Sequence, residues 1–311
     1  MVVRTYKNSK NAAAAVKRME RAVVYEGSCI DLLKSLPDDS VDLVLTSPPY
    51  CMGKEYEDST TVEDFHRFHE EVIPLVARVV KPGGSICWQT GYHVRKQQLF
   101  PLDYSVFTIF EHQTDFILRN RIIWTFGHGM HERRRFSGRH EVMLWFTKGE
   151  IATFNLDAVR VPQKYPGKRH YKGPNKGTWS GNPLGKNPSD VWELPHVKAQ
   201  HPEKENHPCQ FPIALAQRVI RSLTIADAVT CDPFAGTGST GAAALIEGRR
   251  FLGAEINSAY VVIMKKRLAQ SLAGRIRYRP VDRAIFVPGP NEKVAHRPEH
   301  FVKGDAHDVE A

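Results

Sequence analysis

The sequence predicts an α/β fold built on a mostly parallel sheet. Continuous apolar runs, such as VDLVLT at 41–46, alternate with segments of helical periodicity, and turns rich in glycine or proline separate them. The alternation starts near Val23, is interrupted once, and ends near Arg275. Consecutive strands joined by helices are typical of parallel sheets, because parallel neighbours need a long crossover connection.

Five strands and two helices are expected in the first half of the chain. The strands are expected at 23–27, 41–46, 85–90, 116–126 and 141–149, and the helices at 28–37 and 64–80. The second half repeats the pattern, with helices at 211–223, 235–248 and 259–275 and strands at 228–234 and 249–256. Between them, prolines, glycines and basic residues replace apolar periodicity, which indicates an inserted loop-rich segment.

Five segments follow from this division. They are a loose basic N-terminal arm (1–22), a first α/β half (23–153), the insertion (154–206), a second α/β half (207–275) and a C-terminal tail (276–311). No internal repeat joins the two halves. We therefore expect one main domain that carries a small lobe.

The composition indicates a basic protein with one sizeable core. The 311 residues are 41% hydrophobic and carry a formal net charge of +9. This surplus favours nucleic acid as a partner, although charge that only maintains solubility is equally compatible with composition. The cysteines show no disulfide framework, and no run has the length of a signal peptide or a membrane span. We expect a cytoplasmic protein with no membrane partner.

A glycine-rich turn predicts a nucleotide-containing cofactor. The segment DPFAGTGSTG at 232–241 follows an expected strand and opens an expected helix, and the next strand ends at Glu255. Glycines let the backbone approach the cofactor, and an acidic residue in this position accepts hydrogen bonds from ribose hydroxyls. The predicted cofactor-binding residues here are Asp232, Pro233, Phe234, Gly236, Gly238 and Glu255. The spacing by itself leaves nicotinamide dinucleotides, and hence an NAD-dependent oxidoreductase, as a competing interpretation.

A proline-rich tetrad predicts the catalytic residues. Ser47, Pro48, Pro49 and Tyr50 follow Thr46 at the carboxyl end of an apolar strand, where open α/β sheets bind ligands. The Ser47 side chain and the Pro48 carbonyl can accept hydrogen bonds from the two N–H groups of an exocyclic amine. These bonds localise the nitrogen lone pair for attack on a methyl group. Tyr50 offers a face on which an extruded base can stack.

Together the two motifs resemble those of the β-class amino-group DNA methyltransferases. That family carries a Ser/Asp/Asn-Pro-Pro-aromatic tetrad and a Phe-x-Gly-x-Gly turn, here SPPY at 47–50 and FAGTG at 234–238. The resemblance spans roughly residues 25–272. It implies a Rossmann-like methyltransferase fold with permuted motif order, S-adenosylmethionine as cofactor, and direct transfer to a flipped base without a metal. It also implies that Thr46, Phe211 and Asp31 lie beside the cofactor.

The resemblance also implies a substrate. Serine in the tetrad, particularly after threonine, is similar to the cytosine-N4 enzymes, and aspartate is usual for adenine N6, which stays the alternative. Lysines and arginines interleaved with aromatics in the insertion resemble a target-recognition region for double-stranded DNA. The predicted DNA-binding residues are Arg133, Arg134, Arg135, Lys168, Arg169, Lys172 and Lys176. A cognate restriction endonuclease and a homodimer are the further partners that the resemblance allows.

Other classes are weighed against this interpretation. Pro208-Cys209 imitates the nucleophile motif of cytosine-C5 methyltransferases, but here it precedes the cofactor turn instead of following it, so Cys209 is expected to be a small packed residue. A methyltransferase acting on RNA or on protein glutamine shares the tetrad and the cofactor. A DNA-binding regulator needs no cofactor pocket. The basic aromatic insertion favours DNA.

Overall fold

A nine-stranded sheet lies at the centre of the protein, which is described by a computed structural model. The described residues are 3–50, 61–127, 129, 131–285, 289–292 and 295–296. In chain order the sheet strands are β1 (Arg4–Tyr6), β2 (Ala22–Glu26), β3 (Val41–Thr46), β4 (Val80–Thr90), β7 (Phe116–Thr125), β8 (His140–Lys148), β9 (Val191–Glu193), β10 (Val229–Asp232) and β11 (Arg250–Glu255). A separate hairpin contains β5 (Tyr92–Arg95) and β6 (Gln98–Pro101).

The sheet is mostly parallel, as the sequence predicts. Its strand order is β1-β2-β11-β10-β3-β4-β8-β7-β9, and only β8 pairs antiparallel with its two neighbours. Strands from the second α/β half, β10 and β11, lie between strands of the first half, β2 and β3. The carboxyl ends of β2, β11, β10 and β3 therefore meet along one edge of the sheet.

Helices cover both faces of the sheet. They are α1 (Ser9–Lys17), α2 (Cys29–Ser35), α3 (Val62–Val79), α4 (Leu102–Phe110), α5 (Ile213–Leu223), α6 (Ser239–Ile246) and α7 (Ser258–Leu272). Two buried clusters result, one on each side, and Trp88 of β4 is completely buried in the first of them. Local signals set the helix starts: the Ser28 and Asn257 side chains cap α2 and α7, and Thr61 with Asp64 forms a capping box on α3.

The expected loose arm at 1–22 is wrong. Strand β1 pairs in parallel with β2, and helix α1 buries Ala12, Ala13 and Ala15 against the core. The alanine run carries little apolar area per residue, so the sequence pattern did not mark it as a core face. The short alanine side chains instead let the helix pack closely on its neighbours.

The structure contains further elements that the pattern did not predict. Helix α4 and the β5–β6 hairpin occupy 92–110, and β9 is a three-residue strand within the insertion. Strand β4 begins at Val80 and continues through the proline-glycine segment at 82–84, with an irregular register against β3. The turn expected between the helix at 64–80 and the strand at 85–90 is therefore only a local distortion within β4.

Residues 1–281 form one compact unit, and residues 282–311 form a second. Among the described residues, no helix is long and apolar enough to cross a membrane. The same residues contain no group of three or more histidine, cysteine, aspartate or glutamate side chains that could hold a metal ion.

Candidate active site

A cavity of about 390 Å³ opens at the carboxyl edge of the sheet. Its walls come from the turns that follow β2, β3, β10 and β11, together with residues 207–211 from the segment before α5. The volume lies within the range of small-molecule sites. Strand ends from both α/β halves contribute to it, so the permuted order of the chain still assembles one site.

The proline tetrad forms one side of this cavity. The hydroxyl groups of Ser47 and Tyr50 are 3.0 Å apart and hydrogen-bonded. The ring of Tyr50 is buried and packs beside Gly91, where an added Cβ would lie 3.3 Å from the ring. An alanine at 91 would therefore require the tyrosine ring to shift by a few tenths of an ångström. The cavity lining includes all four residues of the tetrad.

Asp232 lies beneath the cavity and links the second α/β half of the chain to the first. Its carboxylate accepts hydrogen bonds from the Thr46 hydroxyl at 2.7 Å, the Thr240 hydroxyl at 2.7 Å and the Phe234 amide at 3.1 Å. The side chain is 1% exposed and does not line the cavity. Burial raises the pKa of this carboxyl to about 6, although the three donors favour the charged form. The carboxylate thus fastens β10 to β3 just below the tetrad.

The glycine turn holds the backbone against the cavity. Gly236 has a φ of +51°, and its amide donates to a Glu255 carboxylate oxygen at 2.9 Å. Gly238 has a φ of +79°, and a Cβ there would lie 2.7 Å from a Met264 side-chain carbon. Both positions therefore exclude larger residues, one by its left-handed conformation and the other additionally by its packing.

Glu255 points into the cavity from the end of β11. Its second carboxylate oxygen accepts from the Asn257 amide at 2.8 Å, so the side chain is fixed by two backbone donors. Burial raises the pKa of this carboxyl, and the backbone hydrogen bonds oppose the rise. Each carboxylate oxygen retains a lone pair that can accept a hydroxyl proton from a ligand.

Aromatic side chains supply the apolar wall. Phe68, Phe211, Phe234 and Tyr260 line the cavity, and the His207 ring packs edge-on against Tyr260 at 4.6 Å. Such a wall suits a planar heterocycle. The cavity therefore combines a fixed carboxylate, close backbone and flat apolar faces, which together fit a nucleoside.

The comparisons with known proteins agree with this geometry. The family model of the N6/N4 DNA methylases matches residues 41–266, which include both motifs and the whole insertion. The chain belongs to this family. It is a DNA methyltransferase that uses S-adenosylmethionine and transfers the methyl group to the exocyclic nitrogen of cytosine or adenine.

Individual relatives cover most of the methyltransferase. It is 46% identical to the type II methyltransferase M.BglII from Bacillus subtilis over 241 residues, 77% of this chain and 67% of that one. It is 32% identical to the DNA adenine methyltransferase YhdJ from Escherichia coli over 254 residues, 80% and 83% of the two chains. TTHA0409 from Thermus thermophilus, solved with S-adenosyl-L-methionine, superposes with a TM-score of 0.58 at 27% identity over 81% of this chain and 94% of that one.

The residues of this methyltransferase fit the cofactor. Glu255 offers acceptors for ribose hydroxyls beside the aromatic wall. Gly236 and His207 both line the cavity, and a Cβ added at Gly236 would lie 3.2 Å from the His207 ring. The absence of a side chain at 236 therefore leaves room for the cofactor between them. The nicotinamide alternative is set aside by the family assignment.

The structure brings most of the predicted site residues together. The cavity lining contains nine of them: Ser47, Pro48, Pro49, Tyr50, Phe211, Pro233, Phe234, Gly236 and Glu255. Thr46, Asp232 and Gly238 lie beside these residues but do not line the cavity. Asp31 is exposed on the first turn of α2 and is also absent from the lining.

Several lining residues were not predicted. Gly27, Ser28 and Asn257 form the turns that follow β2 and β11, and each is a residue type common at turns and helix caps. Their positions immediately after strand ends are the signal that could have identified them. Cys209 is exposed and lines the cavity, so its expected role as a small packed residue is wrong.

The basic residues of the methyltransferase form two exposed groups. A loop at 126–139 joins β7 to β8 at the carboxyl edge and carries Arg133 and Arg134, which are exposed, and Arg135, which is half-buried and paired with Glu132. Within the insertion, residues 168–180 form what we call the basic hairpin. Its backbone bonds include the His170 amide to the Thr178 carbonyl at 2.9 Å. Lys168, Arg169, Lys172 and Lys176 are all exposed there. The insertion is therefore ordered in part, and the Arg169 guanidinium lies 3.9 Å from the centre of the Trp179 ring.

Proposed function

We propose that this methyltransferase modifies N4 of cytosine in double-stranded DNA at a specific sequence. The observation that carries the proposal is the position of the Ser47 hydroxyl, which lies at the cavity and is oriented by its hydrogen bond to Tyr50. A neutral hydroxyl held in place can accept a hydrogen bond from the amino group without introducing charge into the site. Serine at this position of the tetrad is similar to the cytosine-N4 enzymes.

The catalytic residues act by orienting the target amine. S-adenosylmethionine, when bound, supplies the electrophilic methyl group. The Ser47 hydroxyl and the Pro48 carbonyl accept hydrogen bonds from the two amino N–H groups, which disfavours delocalisation of the nitrogen lone pair into the ring. The nitrogen releases one proton when it gains the methyl group. Tyr50 provides the stacking face for the flipped base, and its buried ring is held against Gly91. Orientation, rather than a covalent enzyme intermediate, then lowers the barrier.

The remaining predicted residues divide into contacts and supports. Glu255 accepts hydrogen bonds from the cofactor's ribose, while Phe211 and Phe234 contact its apolar faces. Asp232 with Thr46 holds the tetrad strand in position from below, which is a supporting role in place of the direct contact expected from the sequence. Asp31, exposed on α2, remains a predicted contact to the adenine.

We also propose a role for each of three segments of the chain. Residues 23–153 supply the catalytic half, residues 207–275 the cofactor half, and residues 154–206 the target-recognition insertion. Exposed cations on the basic hairpin and on the 126–139 loop are suited to phosphate contacts. Because M.BglII is a type II methyltransferase, a cognate restriction endonuclease with the same recognition sequence is the expected partner.

Adenine N6 is the second candidate substrate. The observation that favours it is the 32% identity to YhdJ, which is a DNA adenine methyltransferase. The residues that grip an amino group are compatible with either base, because both carry two exchangeable amino protons. Base identity then depends on the shape of the pocket around Tyr50.

Nucleoside mass spectrometry after digestion of enzyme-treated plasmid DNA distinguishes the candidates. N4-methylcytosine as the main product supports the proposal. N6-methyladenine would identify adenine as the target base and leave the proposed mechanism unchanged. 5-Methylcytosine contradicts direct amino transfer and assigns a nucleophilic role to Cys209. A control reaction without S-adenosylmethionine excludes methylation that was present in the plasmid beforehand.

A further inference from the structure

Phe136 is fully exposed at the carboxyl edge of the sheet, in the 126–139 loop. Exposure of a whole phenylalanine ring leaves a large apolar surface in water, which is unfavourable relative to burial. No described residue is more exposed among the large hydrophobic side chains. The ring therefore invites an apolar partner that the isolated chain does not provide.

The loop around Phe136 is held in place by local contacts. The Glu132 amide donates to the Ser137 hydroxyl at 3.0 Å, and the Arg135 guanidinium pairs with the Glu132 carboxylate at 2.7 Å. These two contacts close the loop on both sides of the phenylalanine. Its exposure is consequently imposed by a defined turn that directs the ring outward.

The same loop is connected to the catalytic tetrad. The Tyr92 hydroxyl packs so closely on Gly138 that a Cβ there would lie 1.8 Å away, and the Arg135 guanidinium lies 5.9 Å from the Tyr92 ring centre. The preceding residue, Gly91, contacts the Tyr50 ring. A short series of contacts thus runs from Tyr50 through Gly91 and Tyr92 to the loop that carries Phe136.

Charge identifies the partner. Arg133 and Arg134 lie three and two residues before the phenylalanine, are exposed, and form no ion pair with any residue in the described part of the chain. An apolar ring close in sequence to two exposed guanidinium groups matches a DNA duplex, where the cations contact phosphates and the ring enters the base stack. A purely apolar protein partner would leave these cations uncompensated.

We propose that Phe136 is a DNA wedge, which inserts into the base stack next to the target and stabilises the duplex from which the base has been extruded. The proposal rests on the base extrusion in the proposed function. The ring fills the space vacated by the target base and replaces part of the lost stacking. Phe136 is thus a positioning residue for the reaction, because it contacts DNA but not the reacting atoms.

The test compares single-turnover methylation of two synthetic duplexes, both containing a site that the wild-type enzyme modifies in plasmid DNA. In one the target base is paired, and in the other it faces an abasic position, which removes most of the cost of extrusion. Phe136→Ala is expected to slow methylation of the paired duplex by roughly 10- to 100-fold, in line with the loss of one aromatic stacking contact. Methylation of the abasic duplex is expected to stay close to the wild-type rate.

Two further variants make the result specific. Phe136→Trp is expected to retain most of the rate on paired DNA, because it preserves a flat aromatic ring. Ile151→Ala removes a comparably exposed apolar side chain at the opposite edge of the sheet and is expected to change neither rate. Equal losses on both duplexes, or no loss on the paired one, overturn the wedge. If the methylated base proves to be adenine, the proposed substrate fails, while the comparison of duplexes still tests the wedge.

Discussion

The Asp232 carboxylate beneath the cavity and the Arg169 guanidinium of the basic hairpin are charged groups in opposite surroundings. Asp232 is 1% exposed, accepts three hydrogen bonds from a strand end, a turn and a helix, and has a pKa raised to about 6 by burial. Arg169 is exposed, lies on the Trp179 ring and donates to the Gly177 carbonyl at 2.6 Å. One group is bound into the fold, and the other is held near the surface by its own hairpin.

This difference separates two requirements of the enzyme. Methyl transfer needs its groups held to fractions of an ångström, so their supports are buried and a substitution disturbs the fold. DNA recognition needs charge that is available to phosphates, so its residues stay exposed and a substitution affects binding with little effect on folding.

The largest effect is expected on stability, at Asp232. Asp232→Ala leaves the Thr46 hydroxyl and the Phe234 amide without their buried acceptor, whereas the Thr240 hydroxyl can still donate to the Leu45 carbonyl at 3.3 Å. We expect the free energy of unfolding to fall by about 3–5 kcal/mol. Urea denaturation followed by circular dichroism measures it. Lys172→Ala in the basic hairpin is the matched surface variant and should change stability by less than about 0.5 kcal/mol. Equal effects at the two sites would remove the distinction between the regions.

Ser47→Ala is expected to lower the methylation rate without a comparable loss of stability. Removing one oriented hydrogen-bonding group from a catalytic site costs about 100- to 1,000-fold in rate. The affinity for S-adenosylmethionine, measured by calorimetry, should stay unchanged, because this hydroxyl acts on the amine. Tyr50→Phe deletes the hydroxyl partner of Ser47 but keeps the ring, so a smaller loss is expected. A turnover rate unaffected by Ser47→Ala would exclude the assigned role.

Most of the fold could be predicted from sequence, because buried parallel strands appear in the sequence as continuous apolar runs. Strands β3 and β8 contain the apolar runs LVL at 43–45 and VMLWF at 142–146, and they were recognised for that reason. Helix α1 was missed because its buried face consists of alanines between basic residues. The three-residue β9 is too short to show any periodicity, and it is placed by its pairing with β7.

The candidate site was predictable where the chemistry demands unusual residues. Two prolines after a serine and three glycines in a turn are rare enough to stand out, whereas Ser28 and Asn257 look like ordinary helix caps. Asp232 was predicted from the glycine-rich motif as a cofactor contact, and its hydrogen-bond partner Thr46 comes from a distant part of the chain. A sequence motif therefore located the carboxylate but could not reveal that it faces the core instead of the cavity.

The pH dependence of stability tests the buried carboxylate itself. Burial raises the pKa of Asp232 from its ordinary value of 3.8 to about 6, so the folded state holds this proton more tightly than the unfolded chain. The associated stability is present below pH 3.8 and is lost as the pH rises through 6. From pH 4 to pH 7, the unfolding free energy of the wild type should fall by about 2 kcal/mol relative to D232N. The buried His69, whose pKa is lowered to about 4, is common to both proteins, so its opposite contribution cancels. A difference that is independent of pH would contradict the raised pKa.

The smallest effect is expected in the basic hairpin, and it should appear only when DNA is present. Arg169→Ala removes one exposed cation, so affinity for the target duplex should fall about threefold to tenfold, and the slope of log affinity against log salt should decrease by about one. Arg169→Lys restores the charge but not the planar stack on Trp179, and should recover the slope more fully than the affinity. Fluorescence anisotropy at several salt concentrations measures both quantities, with urea denaturation as the control for folding. A variant that loses stability along with affinity would show that the stack on Trp179 holds the insertion together, and the hairpin would then resemble the cavity floor more than a free surface.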